Sequence, residues 1–246
     1  MYTQLANYYD EIYHFKDYQK EAEKIGTLIQ QHKRSSGNHL LDVACGTGNH
    51  IAYLNRHYIV EGLDFSPEML RMARKKHPEV VFHRGDMTSF KLVNRFDVIT
   101  CLFSAIGHVK TKARMRRAVG NMANHLRPGG LMILEPWITP VNFRRGLIGW
   151  DFVDKPNLKI ARINISKVRG PVSAFEYHYL IGTPGKVQYV VDNVSQGLWT
   201  HEEHLEAFRD AGLEVSFDSE GSDGSGVVSW AQTLDRHRNF LLILLS

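Results

Sequence analysis

Apolar residues follow two rhythms along the chain, and the change between them marks its layout. As far as about Gln31 the rhythm is helical, with Tyr18, Ala22, Ile25 and Ile29 at i, i+4, i+7 and i+11. Short apolar runs then alternate with helical stretches, and residues 40–43, 58–63, 80–82, 95–103 and 131–135 read as five strands. Ser66-Pro67-Glu68 supplies an N-cap, a proline at N1 and an early acid, opening a helix through Lys76. Thr111 opens another, whose apolar face is Met115, Ala118, Val119, Met122 and Leu126 and which Arg127-Pro128-Gly129-Gly130 stops. Strands separated by helices imply a parallel, doubly wound α/β sheet with right-handed crossovers.

After Glu135 the pattern becomes β-rich. Residues 159–168, 173–181 and 186–198 are divided by Arg169-Gly170-Pro171 and Thr183-Pro184-Gly185, which predicts a three-stranded antiparallel unit. Thr200-His201-Glu202-Glu203 is a capping box before a helix bearing Leu205, Phe208 and Ala211, and Gly212 closes it. Residues 213–217 and 227–230 are expected to complete a mostly parallel main sheet of seven strands. The chain thus divides into a core (1–138 and 199–232), an antiparallel insertion for substrate or dimer contact (139–198) and an apolar tail (233–246). The tail is too short to span a membrane and can cover an apolar patch on its own subunit or on a second one.

Candidate chemistry sits where the first strand ends. Leu40-Leu41-Asp42-Val43-Ala44-Cys45-Gly46-Thr47-Gly48-Asn49-His50 joins a strand to a tight glycine turn and then a helix. Eighteen residues after Gly46, at the end of the second run, Asp64 is placed to accept hydrogen bonds from both hydroxyls of a ribose. A dinucleotide turn needs a further glycine for close helix–strand contact, and that place falls on Asn49 or Ile51. The turn therefore suits a nucleoside without phosphates, with S-adenosylmethionine (SAM) the obvious candidate. His83-Arg84-Gly85-Asp86-Met87 follows the third run, so Asp86 falls on the rim where open α/β sheets bind ligands. There a carboxylate can accept from an adenine amino group while Met87 packs on the ring.

With 246 residues and 43% hydrophobic content, the chain supports one sizeable core. A net charge of +4 permits an anionic substrate or a nucleic acid and demands neither. Cys45 and Cys101 read as small buried residues of a reducing compartment, and no leader or twenty-residue apolar run is evident, so a soluble, cytoplasmic protein is expected. Lys110, Lys112, Arg114, Arg116 and Arg117 read as a solvated helix face rather than a nucleic-acid surface. His201 and His204 lack the His-Glu-x-x-His order, so no metal site is expected.

Taken together, these motifs resemble the class I SAM-dependent methyltransferases, and more narrowly the N,N-dimethyltransferases of nucleotide-linked amino sugars, of the desosamine and mycaminose type. The resemblance runs through Tyr2, Tyr9-Asp10, Lys16-Asp17-Tyr18, the glycine turn, Glu61-Gly62-Leu63, Gly85-Asp86-Met87, Phe103-Ser104-Ala105-Ile106-Gly107-His108 and Glu135-Pro136-Trp137. It implies SAM contacts from Tyr9, Tyr18, Ala44, Gly46, Gly48, Asp64, Met69, Asp86 and Met87, and it places Tyr2 and His108 beside the acceptor amine. An imidazole with a pKa of about 6.5 can accept or relay an amine proton near neutral pH. In one departure, Ser225 of Gly224-Ser225-Gly226 stands where the sugar enzymes carry an arginine, and Arg144 and Arg145 are candidates for a replacement charge. The expected partner is a small-molecule acceptor, with a homodimer allowed and neither membrane nor nucleic acid expected. Alternatives are O-methylation of another metabolite, RNA methylation, and SAM binding without catalysis.

Overall fold

A computed structural model of the chain describes residues 5–217, 228–232 and 241–245. A short helix α1 (Tyr9–Ile12) precedes α2 (Tyr18–His32), whose N-terminus is capped by Asp17 accepting from the Lys20 N–H. Ala22, Ile25, Leu28 and Ile29 of α2 are buried, as the helical spacing requires. There follow β1 (His39–Val43), the single turn α3 (Ile51–Leu54), β2 (Ile59–Asp64), α4 (Pro67–Lys76), β3 (Val81–Arg84), β4 (Phe96–Cys101), α5 (Lys112–Asn124) and β5 (Leu126–Leu134). The Ser66 hydroxyl accepts from the Met69 N–H and the Thr111 hydroxyl from the Arg114 N–H, so both expected caps form.

Five strands form the parallel core in the order β3-β2-β1-β4-β5. Side chains of α5 such as Met115 and Met122 pack on one face with Phe96 and Ile99, while Ile25, Leu54 and Leu70 pack on the other with Leu40 and Val98. The expected seven strands are corrected to this parallel five within an eight-stranded sheet. Arg127-Pro128-Gly129-Gly130, expected to lie between α5 and β5, belongs to β5, because Leu126 already pairs with Phe96 across a register shift.

The insertion has four antiparallel strands rather than three: β6 (Ile148–Lys155), β7 (Leu158–Arg169), β8 (Val172–Thr183) and β9 (Lys186–Gly197). Gly149 and two aspartates interrupt the apolar signal of β6, and pairing along β7 stabilises it instead. One face of this sheet (Val153, Ile160, Tyr179, Ile181) packs on Leu5 and Ile12 beside and within α1. The capping box forms at the start of α6 (His201–Asp210), followed by β10 (Glu214–Phe217) and β11 (Val228–Gln232). Residues of the expected separate tail form β12 (Leu241–Leu245), parallel to β5 and antiparallel to β11. Five consecutive apolar residues are strand length, which is why that run joins the main sheet.

Candidate active site

The glycine turn and the acid after β2 lock together. Asp64 Oδ2 accepts from the Gly46 N–H at 2.8 Å and Oδ1 from the Ser66 N–H at 2.8 Å, while the Cys45 N–H donates to the Leu63 carbonyl at 3.1 Å. Ala44 (φ 60°), Gly46 (57°) and Gly48 (79°) all adopt left-handed backbone, and a side chain on Gly48 would also press on the His77 ring at 3.0 Å. Asp64 is 8% exposed, and burial raises its carboxyl above the usual range despite backbone donors that oppose the shift. Met69, expected beside it, is fully buried in the first turn of α4.

Asp86 follows directly, since the Gly85 N–H donates to the Asp64 carbonyl at 3.0 Å. Its Oδ1 accepts from the Thr88 N–H and hydroxyl, each at 2.8 Å, and its Oδ2 from Arg114 at 2.8 Å. Partial burial works against ionisation here, but these donors hold the carboxyl below its usual value. Met87 packs half-buried against the core beside it. These residues fit an adenosyl group: a buried carboxylate (Asp64) and a half-buried one (Asp86) at the ends of adjacent parallel strands can take a ribose and an amino group, beside a turn with no room for added side chains at Gly48. Arg114, on α5, was missed because its partner lies on another element; of the basic run, Lys112 pairs with Glu203 and Arg116 with Glu206 and Asp210.

On the other side of β1, the loop after β4 carries His108 within a 3-10 turn, Ala105–Val109. Phe103 (φ 52°) and Ser104 (φ 55°) are consecutive left-handed residues, each costing about 1–2 kcal/mol without glycine. The Phe103 N–H donates to Glu135 Oε2 at 2.6 Å. Burial pushes the Glu135 carboxyl up to about 7, and Asp42, deep in the sheet and bonded to the Thr100 hydroxyl at 2.8 Å, up to about 6. His108 is half-buried, and desolvation, with the Lys110 charge adding, pushes its imidazole down to about 4. The expectation of an imidazole titrating near 6.5 is thereby corrected: at neutral pH the ring is an uncharged hydrogen-bond partner. Since only the neutral ring accepts, turnover that depends on it is lost as pH falls through about 4. A kcat profile between about pH 5.5 and 8 should carry no histidine limb; an inflection near 6.5, absent from a His108 variant, would contradict this.

The N-terminal segment latches onto the glycine turn. Asp10 accepts from Thr47 at 2.5 Å, Asn49 at 3.1 Å and Lys76 at 2.8 Å. A cleft of about 250 Å³ opens beside this latch, and Tyr18, Lys16, Asn49 and Lys76 are among its lining residues. Glu21 and His50 meet at 2.7 Å behind it, with Tyr18 edge-on to the His50 ring. Tyr9 stands in α1 against Tyr13, with ring centroids 4.8 Å apart. Tyr2 and the Gly224-Ser225-Gly226 stretch lie outside the described residues. Among those described, no cluster of His, Cys, Asp and Glu could hold a metal ion, and no helix is long and apolar enough to cross a membrane.

A parallel sheet whose rim joins a left-handed glycine turn to two strand-end carboxylates defines a class I SAM-dependent methyltransferase, and a methyltransferase-domain family model matches residues 40–130. The chain is 36% identical over 228 residues to the dTDP-3-amino-3,6-dideoxy-alpha-D-glucopyranose N,N-dimethyltransferase of Streptomyces fradiae, covering 91% of this chain and 89% of that one. The crystal structure of Streptomyces venezuelae DesVI matches with a TM-score of 0.87 at 34% identity, over 94% of this chain and 99% of that chain. A SAM-bound amino pentose methyltransferase from Micromonospora echinaspora matches with a TM-score of 0.82 at 35% identity, over 94% and 98%. The chain belongs to the family of nucleotide-linked amino-sugar N,N-dimethyltransferases.

Proposed function

We propose that this enzyme methylates the amine of a dTDP-linked amino sugar. The observation that carries the reading is the match along nine-tenths of the chain to a dTDP-amino-sugar dimethyltransferase. When bound, SAM supplies an electrophilic methyl group on a sulfonium. In this reading Asp64 takes the ribose, Asp86 and Met87 take the adenine, and the glycine turn gives close approach. Tyr9 and Tyr18 help to enclose the cofactor from the N-terminal side. His108, neutral at working pH, orients the acceptor nitrogen and takes its hydrogen bond, with Tyr2 assigned beside it. Such positioning can supply up to about 7–11 kcal/mol of the barrier. A neutral amine needs no strong base, which agrees with a weakly basic His108. Arg144 and Arg145, both exposed before β6, are the charges assigned to the substrate phosphates.

The test is direct. With labelled SAM and dTDP-3-amino-3,6-dideoxyglucose, transfer to the sugar nitrogen is expected; turnover confined to phenols or RNA would defeat the assignment. SAM alone at about 100 times its Kd should stabilise the fold by about 2.7 kcal/mol and raise Tm by roughly 5–10 °C.

We also infer a homodimer, supported by the outer face of the insertion. Trp150 pairs across to Ile163, His178 and Val191, and Phe152 to Ala161, Leu180 and Tyr189, so these residues share one face. Trp150 is 70% and Tyr189 64% exposed, a breadth of apolar surface that usually marks an interface. The wild type should sediment as a dimer and the Leu180→Lys variant as a monomer; a monomeric wild type would end this inference. The two cysteines are buried and free, which supports a cytoplasmic setting.

A further inference from the structure

The Glu135-Pro136-Trp137 segment bonds the His108 loop through its first two residues and the insertion through its third. The Glu135 carboxylate accepts from the Phe103 N–H at 2.6 Å. The Pro136 carbonyl accepts from the Ser104 hydroxyl at 2.9 Å. The Trp137 indole N–H donates to the Ser173 hydroxyl at 3.0 Å, and that hydroxyl donates to the Gln196 carbonyl at 3.0 Å. The Gln196 side-chain amide then donates back to the Ser104 carbonyl at 3.2 Å, closing a circuit through β8 and β9. Gly107 rests against the Gln196 side chain so closely that an added Cβ would lie 3.0 Å from it.

We propose that Glu135, acting with this circuit, is a positioning residue for methyl transfer: it holds the loop after β4 in its left-handed conformation and thereby aims His108. The physical case rests on where the loop's own groups go. Two successive left-handed residues at Phe103 and Ser104 turn the Phe103 N–H away from the strand ladder, and a side chain on β5's extension supplies its acceptor. Strained non-glycine backbone persists only where its surroundings over-determine it, and here three hydrogen bonds and one close packing contact do so. Four of the side chains in the circuit are buried, Ser173 completely and Glu135, Ser104 and Gln196 at 9% exposure or less, while Trp137 is half-buried. Water therefore cannot readily replace a missing partner. Residue type follows as well: glutamate spans the gap, proline presents a carbonyl and has no N–H to satisfy, and tryptophan offers a donor on a rigid ring.

The proposal rests on His108 facing the acceptor, so its test needs one readout that does not depend on the acceptor. In the full chain, Glu135→Ala should lower kcat about 30- to 100-fold with dTDP-3-amino-3,6-dideoxyglucose, leaving the SAM Kd within threefold. Glu135→Gln keeps an acceptor for the Phe103 N–H and should recover most of that loss. In nitrogen-labelled protein, the His108 ring signals should shift or broaden in Glu135→Ala and match the wild type in Glu135→Gln. Equal losses in both variants, or unmoved His108 signals in Glu135→Ala, would overturn the proposal. If the wild type fails to turn over this sugar, the substrate reading falls, while the ring signals still decide the role of Glu135. Should Glu135→Ala not fold, Gln196→Ala removes the Ser104 tie and trims the packing on Gly107 while leaving Glu135 in place; it should show the same split between kcat and SAM affinity, and wild-type kcat would count against the circuit.

Discussion

Asp64→Ala is expected to weaken SAM binding about 100-fold, a loss of roughly 2.8 kcal/mol. Two effects add. The carboxylate assigned to the ribose disappears, and hydrogen bonds to a charged acceptor are worth about 1.5–3 kcal/mol. The variant also strips the Gly46 and Ser66 N–H groups of their acceptor, so the glycine turn loses the support that sets its shape. Asp64→Asn can still serve one of these donors and should bind more tightly than alanine. Calorimetric titration with SAM on protein shown to be folded is the measurement. An unchanged Kd in Asp64→Ala would remove this residue from the cofactor site and the ribose reading with it.

For His108→Ala the expected result is the opposite split: kcat falls about 100- to 1,000-fold, in the range of a lost proton-handling or orienting group, while SAM affinity stays within threefold. The imidazole is held uncharged by desolvation and by Lys110, so at neutral pH the substitution removes a hydrogen-bond partner rather than a charge. His108→Gln, which retains hydrogen-bonding atoms, should therefore keep more activity than alanine. Single-turnover measurement with SAM prebound separates this loss from binding. Wild-type turnover in the alanine variant would take His108 out of the reaction.

What could be read from the chain follows the distance over which each signal acts. The Ser66 and Thr111 caps and the Thr200 capping box are decided within three residues, and all three form. The glycine turn and Asp64 meet because β1 and β2 are parallel neighbours, a consequence of alternating strands and helices. By contrast, Phe103 and Glu135 are 32 residues apart and Ser104 and Gln196 92 apart, and no local pattern announces such partners. Burial escaped for the same reason: the depressed imidazole of His108 and the raised carboxyl of Glu135 depend on what surrounds them. β6 and β12 were missed or misplaced because a strand with interrupted or unbroken hydrophobicity lacks a clear period of two. Asp17, part of a family motif, turns out to cap α2.

The short N-terminal helix has an engineering consequence. Through Asp10 it is fastened to the glycine turn, and through Ile12 and Glu11, which pairs with Lys155, it is fastened to the inner face of the insertion. It behaves as a wedge shared by both modules. Chimeras that graft a relative's insertion onto this core would leave that wedge mismatched on one side. Transplanting the leading seventeen residues along with the insertion should give better-behaved hybrids than exchanging the insertion by itself.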